Sequence, residues 1–286
     1  MKKYSLPGKI WRIVYPSLIL LGIQATVIIF AITAYIIYKF YTMALSQNIS
    51  NLIDQELTVQ ALNYVFMPSI AVYAIVSSIL LFFVFKREIK YLPENPQKFK
   101  PSVYVVFFIF GICLNILITF LIAILRVEQF FPEHDQFVAL MTDKKNIFIN
   151  LIAVGICGPI AEEFCFRGLI FKRARTHFGL SAAIIISSAL FGIIHGNWLQ
   201  GIYAGAFGIV LAFVYHYSGK IIAPILIHVG FNTLSVLSSL IPEGYEFVLG
   251  ILFFVGLCLA VVLSVIIFKK IPFWKYKKTG ETPPVF

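Results

Sequence analysis

Charge is what this sequence has least of. Asp, Glu, Lys and Arg make up 13% of its 286 residues, whereas 60% are hydrophobic and the mean hydropathy is +0.91. Soluble domains carry about 25% charged residues, so neither a water-soluble core nor a charge-rich disordered chain fits. Cysteine is sparse as well. Cys113, Cys157, Cys165 and Cys258 all fall in apolar stretches without a CxxC spacing, which excludes a disulfide framework and reads them as small hydrophobes in helix packing. No unit recurs at a fixed period, and the second half does not mirror the first in its charges or its Gly and Pro positions. That argues against a transporter built from inverted repeats. The chain is filled instead with apolar sequence containing 29 Phe and 14 Tyr, residues suited to lipid-facing and interfacial positions.

Runs long enough to cross about 30 Å of hydrocarbon recur along the whole length. Read between polar punctuation, they give eight spans: 13 to 38, 64 to 85, 102 to 125, 146 to 171, 180 to 196, 198 to 217, 221 to 240 and 247 to 268. The first is too long for a signal-peptide core and no small-residue cleavage site follows it, so a retained helix is expected. With the N-terminus in the cytoplasm, that side receives Lys2, Lys3, Lys9 and Arg12, then Lys86, Arg87, Lys90, Lys98 and Lys100. Lys172, Arg173, Arg175, Lys220 and the tail lysines 269, 270, 275, 277 and 278 follow, making 18 of the 23 basic residues. The opposite side takes only Lys39, Arg126, Lys144 and Lys145, with eight of the thirteen acids. The positive-inside rule therefore predicts an all-α polytopic membrane protein of about eight transmembrane helices, with both termini cytoplasmic. The net charge of +10 then reflects topology and attraction to an anionic lipid bilayer, and nucleic acid is not a partner. A single membrane domain over 1–286 is expected, with spans one to three in 1–126. Its remaining parts are a core at 146–240 and a last span with a basic cytoplasmic tail at 247–286. Leu92 to Pro101, with three prolines, reads as a cytoplasmic linker.

Once loop charges are set aside, three ionisable acids and bases remain inside spans: Glu162, Glu163 and Arg167, in Ala161-Glu-Glu-Phe-Cys-Phe-Arg-Gly168. Each costs about 2.5 to 3.5 kcal/mol near the bilayer centre, so compensation is required. Glu163 and Arg167 stand four apart with the acid first, the favourable order for a helical ion pair. Glu162 has no such local partner, and its polar neighbours must come from other helices. His195 shares a helix face with Phe191, and His228 with Asn232. At 1.5 Å per residue, Glu162, His195 and His228 lie roughly 15, 22 and 11 Å from the cytoplasmic ends of their helices, depths that overlap within the error of the boundaries. His134, His177 and His216 fall in loops or at a span end and read as solvated or interfacial. Pro159 withholds an amide from a carbonyl near Gly155, so a break beside the Glu pair is expected, eased by Gly158. Pro224 reads as a tolerated first-turn proline. Gly201, Gly205 and Gly208 form a small-residue face assigned to packing.

Glu162-Glu163-x-x-x-Arg167, Phe191-x-x-x-His195 and His228-x-x-x-Asn232 together resemble the three-motif signature of the CPBP (CAAX protease and bacteriocin-processing, formerly Abi) family of intramembrane proteases. The match covers roughly residues 146 to 240. The resemblance implies an eight-helix protease like the type II CAAX prenyl endopeptidases, with a cavity open to cytoplasm and membrane. It implies as substrate a membrane-associated protein or peptide, either a prenylated CAAX protein or a processed peptide. The residue types support hydrolysis independently. Glu162 takes a proton from water, Arg167 keeps Glu163 charged as an orienting group, His195 holds the water or relays the proton, and His228 and Asn232 donate to the oxyanion. Glu162, His195 and His228 are also an alternative metal set, two His and one carboxylate for zinc. The chain has no HExxH and these ligands come from three helices, so a glutamate-activated water without a cofactor is expected ahead of zinc.

Two other classes compete. A proton-coupled transporter or channel needs a polar path, for which only Gln24, Thr26, Thr33, Asn115 and Thr119, with Asn150 and Gln200 near span ends, are on offer. A non-catalytic immunity or scaffold protein needs none of the three motifs to react. The Phe, Ile and Lys bias suggests a prokaryotic plasma membrane. The end Pro-Pro-Val-Phe lacks a CAAX cysteine, so the chain is not expected to be a substrate of its own class.

Overall fold

The computed structural model describes residues 4–46, 55–90, 99–131, 147–241 and, within the last expected span, residues 251, 254–256, 258–259, 262–263 and 265–266. Among these residues there is no strand. The described helices include α1 (Leu6–Ser46), α2 (Gln55–Glu88), α3 (Pro101–Ile124), α4 (147–171), α5 (Lys172–Ile193), α6 (Trp198–Ser218) and α7 (Ile222–Ser238), with a 3-10 turn at Val127–Phe130. Among the described residues, five helices are long and apolar enough to cross a membrane: Leu6–Thr42, Val65–Glu88, Pro101–Ile124, Ile147–Ile193 and Trp198–Ser218. Ile222–Ser238 is apolar but shorter. Ile147–Ile193 contains two of the expected spans. They are divided at Gly179, whose φ of 85° lies in the left-handed region that glycine adopts without a Cβ penalty. The linker expected at Leu92 to Pro101 lies outside the described residues up to position 98, as does His134.

The centre of the bundle is α4, in which every residue from Phe164 to Phe171 is buried. Its backbone is not a plain α-helix. Leu151–Cys157 and Phe164–Phe171 are π-helical, flanking an α-helical Gly158–Glu163. The break expected at Pro159 is thus a widened turn, and the Gly158 N–H bonds back five residues to the Ala153 carbonyl. Two close crossings hold neighbouring helices at backbone distance. A Cβ at Gly111 of α3 would overlap the Ile227 carbonyl of α7, and one at Gly230 of α7 would overlap the Phe108 carbonyl. On α6, Gly201 lies against Gly192 of α5, which is the packing role expected of that face.

Two basic residues assigned to the cytoplasmic side, Lys172 and Arg173, are buried. Arg173 is 4% exposed and grips both oxygens of Glu88 at 2.8 and 2.9 Å. It also donates to the Arg12 carbonyl at 2.8 Å and lies 4.9 Å from the Tyr15 ring. Arg12 in turn donates to the Tyr4 hydroxyl. The start of α1 is thereby tied to the end of α2 and the start of α5. His216, expected at a solvated or interfacial position, is 2% exposed, with Nδ1 2.7 Å from Arg175 and its ring against Tyr217. Sequence alone placed it at a span end; tertiary packing folds that end inward. Among the cysteines, Cys113 and Cys165 are buried as expected, while Cys258 is exposed.

Candidate active site

Three helices bring the motif residues together. On α4, Arg167 Nη1 donates to Glu163 Oε1 at 2.8 Å, and both side chains are 0% exposed. Burying such a pair is costly, and its polar atoms are only partly occupied: among the described residues, Arg167 Nε and Glu163 Oε2 are buried without a hydrogen-bond partner. Arg167 Nη2 donates to the Gly208 carbonyl on α6 at 3.0 Å, and its guanidinium lies 4.6 Å from the centre of the Phe191 ring. Gly208 must be small here, because a Cβ would stand 3.1 Å from Arg167 Nη2.

The same Glu163 oxygen meets His228 Nδ1 of α7 at 3.0 Å. A carboxylate already held by arginine accepts, so His228 carries its proton on Nδ1 and turns Nε2 outward. That nitrogen faces Glu162 Oε2 at 3.6 Å, too far for a direct hydrogen bond and near enough for a proton to pass after a small movement. The imidazole is boxed edge-on by Phe191 and Phe207, with ring centroids 5.5 and 5.4 Å away. His195, at the end of α5, donates from Nδ1 to the Phe191 carbonyl at 2.7 Å, since a carbonyl can only accept. Its Nε2 is an acceptor too. Asn232, one turn beyond His228, donates from Nδ2 to the Val154 carbonyl of α4 at 2.9 Å.

Glu162, His195, His228 and Asn232 line one cavity of about 280 Å3. Glu162 is its partly exposed acid, at 22%, while Glu163 and Arg167 sit behind it. All six expected residues are therefore brought into one region, four on the wall and two beneath. The sequence did not point to Tyr73 of α2 or Tyr203 of α6, which with Gln200 complete the wall, nor to the Gly208, Phe191 and Val154 carbonyls that fix the charged and amide groups. Backbone acceptors carry no residue-type signal, although Phe191 stands four before His195 on the helix, the spacing such a bond needs. For zinc, the fit is poor: among the described residues no three His, Cys, Asp or Glu side chains are gathered so as to hold a metal ion. Glu162, His195 and His228 share the cavity without forming that set.

Residues 144–234 match the family model described as type II CAAX prenyl endopeptidase Rce1-like. Over 110 residues the chain is 32% identical to "Putative membrane peptidase YdiL" of Bacillus subtilis (strain 168), which covers 38% of this chain and 45% of that protein. Over residues 144–234 the chain is thus similar to the CPBP family. A second Bacillus subtilis protein, "Uncharacterized protein YpbD", is 26% identical over 122 residues, or 42% of this chain and 61% of its own length. In both cases the match spans less than two thirds of the relative. No solved structure matches. The family-model match contains all six expected residues and both π-helical segments of α4, and it leaves out α1 to α3.

Proposed function

We propose that the protein is an intramembrane endopeptidase that hydrolyses a peptide bond of a membrane-associated protein or peptide, of CAAX or peptide-processing type, by a Glu162-activated water. The observation that carries this reading is the approach of His228 Nε2 to Glu162 Oε2 at 3.6 Å on the wall of the cavity. Glu163, pinned between Arg167 and His228, fixes the imidazole tautomer, so that Nε2 is the acceptor that faces Glu162. A proton taken from water by Glu162 can be relayed through this contact, and His195 Nε2 offers a second acceptor for orienting the nucleophile. Asn232 retains one N–H for the developing oxyanion. The apolar lining from Phe207, Phe231 and Ile194 keeps bulk water from competing and suits a substrate that arrives from the lipid. The Glu162, His195 and His228 zinc site remains the alternative within the same family. Eight spans with both termini in the cytoplasm, in a prokaryotic plasma membrane, complete the proposal.

The test is quantitative membrane proteomics of cells carrying wild type or Glu162→Ala. An uncut precursor accumulating only with the variant is the expected result. Identical profiles, with the variant inserted at normal level, would point instead to a non-catalytic immunity or scaffold role.

A further inference from the structure

Pro159 does not line the cavity, yet it controls a group that does. The Val154 carbonyl has two possible donors along its own helix: the N–H of residue 158 in an α-turn and of residue 159 in a π-turn. The Gly158 N–H is bonded to the Ala153 carbonyl, and Pro159 has no N–H. The Val154 carbonyl is left to a neighbour, and it takes the Asn232 Nδ2 from α7 at 2.9 Å. An acceptor-only partner dictates which end of the carboxamide faces it. On the other side of the widened turn, the Cys157 carbonyl receives the Ser78 hydroxyl of α2 at 2.7 Å, so the turn is held from both flanks.

We propose that Pro159 is a positioning residue for Asn232. By withholding an amide from the Val154 carbonyl, it makes that carbonyl the fixed anchor of the Asn232 side chain. The carboxamide is then held in one orientation, with its second N–H available to the cavity shared with Glu162 and His228. The consequence for cleavage rests on the proteolytic reading above; the link from Pro159 to Asn232 does not.

Two measurements separate these. Protein labelled selectively with side-chain 15N-asparagine, in lipid nanodiscs, reports the Asn232 amide, assigned by its disappearance in Asn232→Ala. In the wild type, one of its N–H protons should resist hydrogen exchange. In Pro159→Ala, protection should fall at least about tenfold as residue 159 supplies its own amide to Val154, while the Asn115 and Asn197 signals stay in place. Unchanged Asn232 protection overturns the proposal. Pro159→Gly supplies the same amide and serves if the alanine variant does not insert. On the precursor that accumulates with Glu162→Ala, Pro159→Ala should lower kcat by about tenfold, the scale of a misplaced catalytic group, with KM unchanged. The double variant with Asn232→Ala should be no slower than Asn232→Ala alone. Multiplied losses would show that Pro159 acts elsewhere and also overturn the proposal. Full activity in Asn232→Ala, with protection still lost in Pro159→Ala, would sink the oxyanion role and leave the structural link standing.

Discussion

Two adjacent glutamates are given opposite duties by one helical step. Glu163 is 0% exposed and shared by Arg167 and His228, whereas Glu162 is 22% exposed on the cavity wall. Glu163→Gln leaves a guanidinium buried without its counter-charge, so it should lower stability by about 3 to 5 kcal/mol, read as a fall in thermal midpoint in detergent. Glu162→Gln removes no ion pair of that kind and should unfold within a degree or two of wild type while losing cleavage altogether. If both variants unfold alike, the division of labour is wrong. The histidine and carboxylate positions also bear on metal dependence. Because no three ligands converge among the described residues, cleavage should survive a strong chelator. Inhibition reversed by zinc and by no other divalent ion would instead favour the metal set.

At the scale of elements, the close crossing of α3 and α7 carries the site. Gly230 stands two residues after His228, and any side chain there meets the Phe108 carbonyl. Gly230→Val should force the two helices apart, costing about 1 to 3 kcal/mol from overpacking. It should also move the imidazole off Glu162, so that both thermal midpoint and kcat fall. Loss of stability with unchanged kcat would mean that the crossing is structural only. Much of this level was legible in the sequence. Three charges within six residues of an apolar run announced a site, and the i, i+4 spacing of Glu163 and Arg167 announced their pairing, because both follow from local helix geometry. The hydrogen-bond register around Pro159 was not legible. The freed carbonyl is that of Val154, next to Gly155 as expected, but its exact register follows from the π-turn, and whether a π-turn forms depends on what α2 and α7 offer from outside. The buried Arg173 to Glu88 pair was hidden for the same reason: residues 85 positions apart meet only in the folded bundle.

The whole molecule follows from charge placement on a hydrophobic chain. Tags fused to either terminus should be labelled by a membrane-impermeant reagent only from the cytoplasmic side; labelling of one terminus from outside would remove the eight-span arrangement. Arg173 fastens α1 near its start, and no residue of α1 beyond Leu20 is buried among those described as far as residue 42.

One dimension of that first helix has a separate outcome. Its 41 residues run to about 60 Å, twice the depth of the oil. Tyr35, Tyr38 and Tyr41 cluster with Lys39, whose ammonium lies 5.6 Å from the Tyr35 ring, the chemistry of a headgroup girdle. Beyond that girdle α1 continues to Ser46, and α2 is already helical at Gln55. On the proposed topology, α1 and α2 would rise past the lipid surface as a short two-helix mast, about 10 Å proud of the girdle, on the side away from the cytoplasm.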